Sequence, residues 1–242
     1  MKFNGIDPTS LHPAISIAEE IPPGMAKRQI TTVAGTDGEI VSDVKVEKDE
    51  YIVYVNFASR NRGEAWALRE KLAAWAGSSG RRTAELIPTH MPQRVYDAIL
   101  SEVGKPKFSR RFATIDVTFM LPRPISRSAI PGTAYGGGRM EVMIGGSAPA
   151  RPVIRQTIAE PRADLAWTMD GKTILTIRGE LAAGQTVEMD VEHERLTIDG
   201  VNAMPRIDPQ ATEWRPGYAP GAHRIASTDS GQMEMRWHDE WL

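Results

Sequence analysis

The segment from Thr186 to Ile225, TVEMDVEHERLTIDGVNAMPRIDPQATEWRPGYAPGAHRI, constrains this chain most. Val187, Met189 and Val191 alternate with Glu188, Asp190 and Glu192, the period of a half-buried strand. Arg195 to Ile198 continues in extended style, and Asp199-Gly200 supplies a tight turn. Glu213-Trp214-Arg215 predicts a further short strand. Pro216-Gly217 and Pro220-Gly221 break the chain on either side of Tyr218, and His223 to Ala226 extends again. No helical period occurs anywhere in the segment. Short strands joined by turn residues predict one part of an antiparallel β-sandwich.

The same pattern recurs on both sides of a Gly- and Pro-rich stretch. Arg28–Val33, Glu39–Val46 and Tyr51–Phe57 read as strands, the first two joined by Gly35-Thr36-Asp37-Gly38. In the third, Tyr51, Val53, Val55 and Phe57 form one wholly apolar face. The single convincing helix follows. Asn61 and Glu64 form a capping-box-like pair, and Gly77 sits where a helix ends. Between them Ala65, Leu68, Leu72 and Trp75 fall on one stripe. Arg82–Thr89 is extended. Tyr96, Ile99, Leu100 and Val103 give Arg94–Val103 a helix-compatible spacing. Phe108–Leu121 predicts one long strand. Pro131-Gly132 and Gly136-Gly137-Gly138 predict a linker over 131–138, separating domains at 1–130 and 139–242. The first carries a net charge of +3 and the second −5. Beyond the linker, Arg139–Ile144, Val153–Ala159, Leu165–Met169, Thr173–Arg178 and Gln232–Trp237 are short strands, with Asp170-Gly171 a hairpin turn.

Composition excludes several function classes. Cysteine is absent, so disulfides, thiolate metal sites and Cys nucleophiles are excluded. A net charge of −2 with scattered basic pairs gives no nucleic-acid footprint. No apolar run approaches the ~20 residues of a membrane helix, and no secretory signal opens the sequence, so synthesis in a cytoplasm is expected. Gly171-Lys172-Thr173 imitates the end of a P-loop, but the first glycine is replaced by Ala166 and a strand follows. The five histidines have no ligand spacing. Asp190, Glu192 and Glu194 alternate onto what should be one solvated strand face. No catalytic, cofactor-binding or metal-ligating residue is therefore nominated, no cofactor is expected, and the chain reads as no enzyme.

The order of these motifs resembles the siphophage distal tail proteins. Asp199-Gly200-Val201-Asn202-Ala203-Met204 and Pro220-Gly221-Ala222-His223-Arg224-Ile225 are similar to two turns of that family's C-terminal galectin-like domain, with His223 where the family usually has Asn. Phe3-Asn4-Gly5, Arg28 with Gly35-Thr36-Asp37-Gly38-Glu39, the single helix and Phe119-Met120-Leu121-Pro122 agree with its N-terminal part. The resemblance implies a mainly β chain: a tail-tube-like β-sandwich or barrel with one α-helix, then a galectin-like β-sandwich. It favours a strand over a helix for Arg94–Val103. It further implies a structural virion protein of the tail tip, a homo-hexameric ring joining the tail tube protein to the tail-associated lysin or baseplate hub protein. Such a ring would hold receptor-binding or fibre proteins and let DNA pass without sequence-specific binding. Two other readings stand beside it. One is a carbohydrate-binding lectin-like sandwich, although Trp167, Trp214 and Trp237 suit a core or interface better than a sugar site. The other is a tail-tube protein proper, which leaves the second half unexplained.

Overall fold

The computed structural model describes residues 1–12, 14–21, 27–32, 39–45, 49–80, 82–212 and 217–242, with backbone alone at 27–32 and 39–45. The predicted turn at 35–38 and the strand predicted at 213–215 lie outside the described residues. The chain divides into two compact units, one over Met1–Ala129 and the other over Ile130–Trp241.

The first unit contains β1 (Lys2–Phe3), β2 (Ile15–Glu20), β3 (Lys27–Thr32), β4 (Glu39–Lys45) and β5 (Asp49–Ala58), followed by helix α1 (Arg62–Ala76). After the helix come β6 (Ala84–Ile87), β7 (Arg94–Val103), β8 (Lys107–Ser109), β9 (Phe112–Leu121) and β10 (Ser126–Ser128). The main sheet runs β1-β6-β7-β9-β5-β2 with antiparallel neighbours, while β8 pairs with the start of β9 and β10 with the start of β7. β3 and β4 form a separate antiparallel pair. The period-two pattern sets the core. Tyr51, Val53, Val55 and Phe57 lie directly opposite Phe119, Val117, Ile115 and Ala113, and all eight are buried. α1 lays Ala65, Leu68, Leu72, Trp75 and Ala76 into the same core. Trp75 meets Phe3 and Phe119 edge-on at 6.1 and 5.9 Å, and its indole N–H donates to the Ile6 carbonyl at 3.1 Å.

The helix ends follow the sequence with one difference. Asn61 Oδ1 accepts from the Glu64 amide at 2.9 Å, and Glu64 reaches back to the Arg60 amide at 2.7 Å. Gly77, however, has φ −82° rather than a left-handed value. A Cβ there would lie 2.9 Å from the Ala73 carbonyl, so close backbone approach is what requires glycine.

Arg94–Val103 is a strand. Its helix-like spacing arises from a register shift between Leu100 and Glu102, which breaks the alternation. The long strand expected over Phe108–Leu121 is instead a hairpin. Arg110 takes φ +53° and turns β8 back on β9, placing Arg110-Arg111 at the tip. β2 is a strand the sequence did not declare, because Glu19 breaks its inward face of Ile15 and Ile17. Its carboxylate is nonetheless enclosed, at 1% exposure. It accepts from Tyr51 Oη at 2.6 Å and from the Thr89 amide and hydroxyl, and it lies 3.6 Å from the Met1 amino group. The sheet therefore has its two ends tied by side chains, since β2 lies at one end of the strand path and Met1 and Thr89 flank β1 and β6 at the other.

The second unit contains β11 (Gly132–Gly137), β12 (Arg139–Ile144), β13 (Val153–Thr157), β14 (Arg162–Met169) and β15 (Lys172–Leu181). These are followed by β16 (Thr186–Asp190), β17 (Arg195–Ile198), β18 (Val201–Asn202), β19 (Gly221–Ser227) and β20 (Gln232–Trp237). One sheet runs β11-β20-β13-β16-β17-β18 and the other β12-β19-β14-β15. Their inward residues, including Ile154, Leu165, Trp167, Leu175, Ile177, Val187, Met189, Leu196, Ile225, Met233 and Met235, share one core. Within it, Gln156 accepts from the Trp167 indole at 2.6 Å and the Ser227 hydroxyl at 2.7 Å, while its amide donates to Asp229.

The stretch expected as a linker at 131–138 is a correction. It contains β11, which pairs with β20 from Gly132↔Trp237 to Gly137↔Gln232. Its glycines serve contact, not flexibility. A Cβ on Gly132 would sit 2.6 Å from the Trp237 ring, and one on Gly136 1.9 Å from the Arg139 carbonyl. Gly138, at φ +70°, then passes the chain to the other sheet.

Candidate functional site: exposed surfaces of the two units

The outward face of the first unit's sheet is a polar ladder. Tyr54 donates to Glu20 at 2.8 Å, Thr114 to Asn56 at 2.6 Å, and Lys107 pairs with Asp116. These residues alternate with the core positions of β5 and β9, so a single strand register assigns one face to packing and the other to solvent or partners. On the helix side, the Arg62 guanidinium lies 5.6 Å over the Phe108 ring and that of Arg69 5.8 Å over Trp66. Arg69 is fixed by the carbonyls of Val103 and Gly104, at 2.9 and 3.1 Å. Trp66, Phe108 and Phe112 stay 44%, 43% and 62% exposed. The sequence helix stripe explains Trp75 but leaves Trp66 unexplained. The signal for it was an aromatic on the polar face.

In the second unit, two turns singled out separately in the sequence meet. Asp170, at φ +52° in the β14–β15 hairpin, accepts from the Arg224 amide at 2.8 Å, and His223 Nδ1 lies 2.7 Å from its other oxygen. His223 Nε2 lies 2.7 Å from the Ala219 carbonyl, just before Pro220-Gly221. Arg224 also donates to Glu141 of β12 at 2.9 Å. Glu141, Met143, Asp170, His223 and Arg224 line a surface depression of about 650 Å³. Its lining includes no Phe, Tyr or Trp side chain.

The tempting sequence signals resolve as follows. Gly171-Lys172-Thr173 is a hairpin turn running into β15. Asp190, Glu192 and Glu194 do not share a strand face, because β16 ends at Asp190 and Glu194 takes φ +48° in the following turn. Asp190 is buried and engaged by His193 Nδ1 at 2.9 Å, with Arg195 at 3.8 Å. Among the described residues, no three His, Asp or Glu side chains are grouped to hold a metal ion. Trp167 and Trp237 are core residues, and Trp214 lies outside the described residues.

These surfaces belong to a class of mainly β proteins in which sheet edges, turns and exposed side chains face outward from two cores. Residues 145–241 match the family described as siphovirus-type tail component, C-terminal domain. The crystal structure of the Dit (gp 19.1) protein of phage SPP1, titled a paradigm of hub adsorption apparatus in Gram-positive-infecting phages, superposes with a TM-score of 0.81 at 16% identity, covering 99% of this chain and 98% of that one. Two structures of the phage P2 baseplate in its activated conformation, with Ca and with Sr, have TM-scores of 0.43 and 0.45 at 11% and 10% identity, each covering 93% of this chain and 90% of theirs. Among curated proteins, none matches the sequence. The second unit thus carries the match to the siphovirus-type tail component C-terminal domain, and the chain as a whole shares the fold of the SPP1 Dit protein. No helix among the described residues is long and apolar enough to cross a membrane.

Proposed function

We propose that this protein forms a homo-hexameric ring at the siphophage tail tip, joining the tail tube to the baseplate hub or tail-associated lysin. Residues 1–130 form the ring and face an axial channel for DNA. Residues 139–242, with the strand before them, stand outside as a galectin-like sandwich that holds receptor-binding or fibre proteins. The role is structural, without catalysis. The observation that carries this reading is the shared fold along the whole chain, 99% of it at a TM-score of 0.81. The open strand path of the first unit supports it, because a heterologous interface repeated round a closed ring covers edges without leaving a growing end. Mass photometry and negative-stain imaging of the purified protein test it. A six-subunit ring is expected, with no glycan binding on an array. A monomer or dimer that binds a defined glycan would replace this reading with the lectin-like one.

A further inference from the structure

We propose that His223 is a doubly protonated clamp between two turns of the second unit, and that losing its proton as pH rises releases one of them and leaves the adjoining depression anionic. The geometry carries this. Nδ1 lies 2.7 Å from Asp170 Oδ2 and Nε2 lies 2.7 Å from the Ala219 carbonyl oxygen. A backbone carbonyl only accepts, and so does an ionised carboxylate. A neutral imidazole has one N–H and would set a lone pair against one of these oxygens. The imidazolium satisfies both.

Asp170 is anchored by the backbone of the neighbouring strand β19. Its other oxygen accepts the Arg224 amide at 2.8 Å, and the carboxylate is 49% exposed to water. Arg224, the neighbouring cation, is directed at Glu141 of β12, at 2.9 Å, while His223 pairs with Asp170. The charged residues lining the same depression are Asp170 from the β14–β15 turn, Arg224 from β19 and Glu141 from β12. Burial of the ring pulls its pKa down, but the Asp170 hydrogen bond and the Ala219 carbonyl outweigh it, so the net movement is upward from the ordinary 6.5. A histidine raised on folding stabilises fully below its unfolded pKa and loses that contribution as pH rises through the folded one. With the proton, the depression holds two positive and two negative side chains. Without it the balance is one charge negative.

Long-range ¹H–¹⁵N spectra of the whole protein test the proposal. Both His223 ring nitrogens should show imidazolium shifts below the titration midpoint, and that midpoint should lie above 6.5 and fall in Asp170→Asn. His223→Asn supplies the assignment and should remove the corresponding loss of thermal stability between pH 6.5 and 9. A midpoint at or below 6.5, or one that Asp170→Asn leaves unchanged, overturns the clamp. Should Asp170→Asn fail to fold, the midpoint of the unaltered protein decides alone.

Discussion

Glu19 shows how one residue can shape a sheet. A carboxylate on an inward strand position would ordinarily be expelled, since burial favours its neutral form. Here burial pushes the Glu19 pKa up, but hydrogen bonds from Thr89 and Tyr51, with the Met1 amino group nearby, outweigh it and leave the value below the usual 4.5. Burial and the same carboxylate push the Tyr51 phenol upward. A depressed carboxyl pKa gives stability that is complete above the unfolded value and lost as pH falls through the folded one. Glu19→Gln should therefore weaken the first unit by about 1–3 kcal/mol at pH 7, with the difference from the unaltered protein shrinking below about pH 4.5. Urea unfolding at pH 7 and at pH 3.5 measures it. Equal differences at both values would show that the charge is not what ties β2 to Thr89.

Among the elements, α1 was the most legible in the sequence. Its cap, stripe and terminal glycine all point one way, and Leu72, fully buried, sits at the centre of the stripe. Leu72→Ala should cost on the order of 2–5 kcal/mol by transfer and cavity terms, read from denaturant midpoints. A loss under ~0.5 kcal/mol would place the stripe outside the core. β5 and the core-facing half of β9 were equally plain, because uninterrupted alternation matches a strand with one buried face. What was hidden has a physical cause in each case. β2 was masked by the buried charge of Glu19. β7 was masked by its bulge, so that propensity suggested helix and family resemblance had to supply the strand. The β8–β9 hairpin was missed because Arg110 occupies the left-handed turn position where glycine or asparagine would have announced it. β11 was missed because its glycines, needed to pass under Trp237 and Arg139, look like those of a linker. At the surface, Asp170-Gly171 and Pro220-Gly221 were both readable as turns. Their meeting through His223 was not, since 53 residues separate the partners.

For the whole molecule, the two units lead to a cleavage prediction. Ile130 is 81% exposed, whereas Gly132–Gly137 is locked to β20. Limited proteolysis should first cut near 129–131 and leave two stable fragments, identified by mass spectrometry. First cuts inside 132–137 would mean that β11 is loosely held. The assembled state leads to the other. Among the described residues, β2 pairs through its backbone with β5 alone, and Ser16, Ala18 and Glu20 point outward along it. The Glu19 network ties the sheet ends through side chains, and side chains do not satisfy the row of amides and carbonyls on the free edge of β2. An edge of this kind is exchange-prone in a monomer and a template for pairing. If six copies close into a ring, that edge must be paired or covered in every copy, because cyclic symmetry gives all six the same environment. Hydrogen exchange should then show β2 amides slowing on assembly while those of β5 and β9, already inside the sheet, change little. Cryo-EM of a tail tip should show six copies with residues 1–130 around the channel. Unchanged exchange in β2 would move the interface elsewhere on the first unit, and a channel lined by residues 139–242 would refute the ring as drawn.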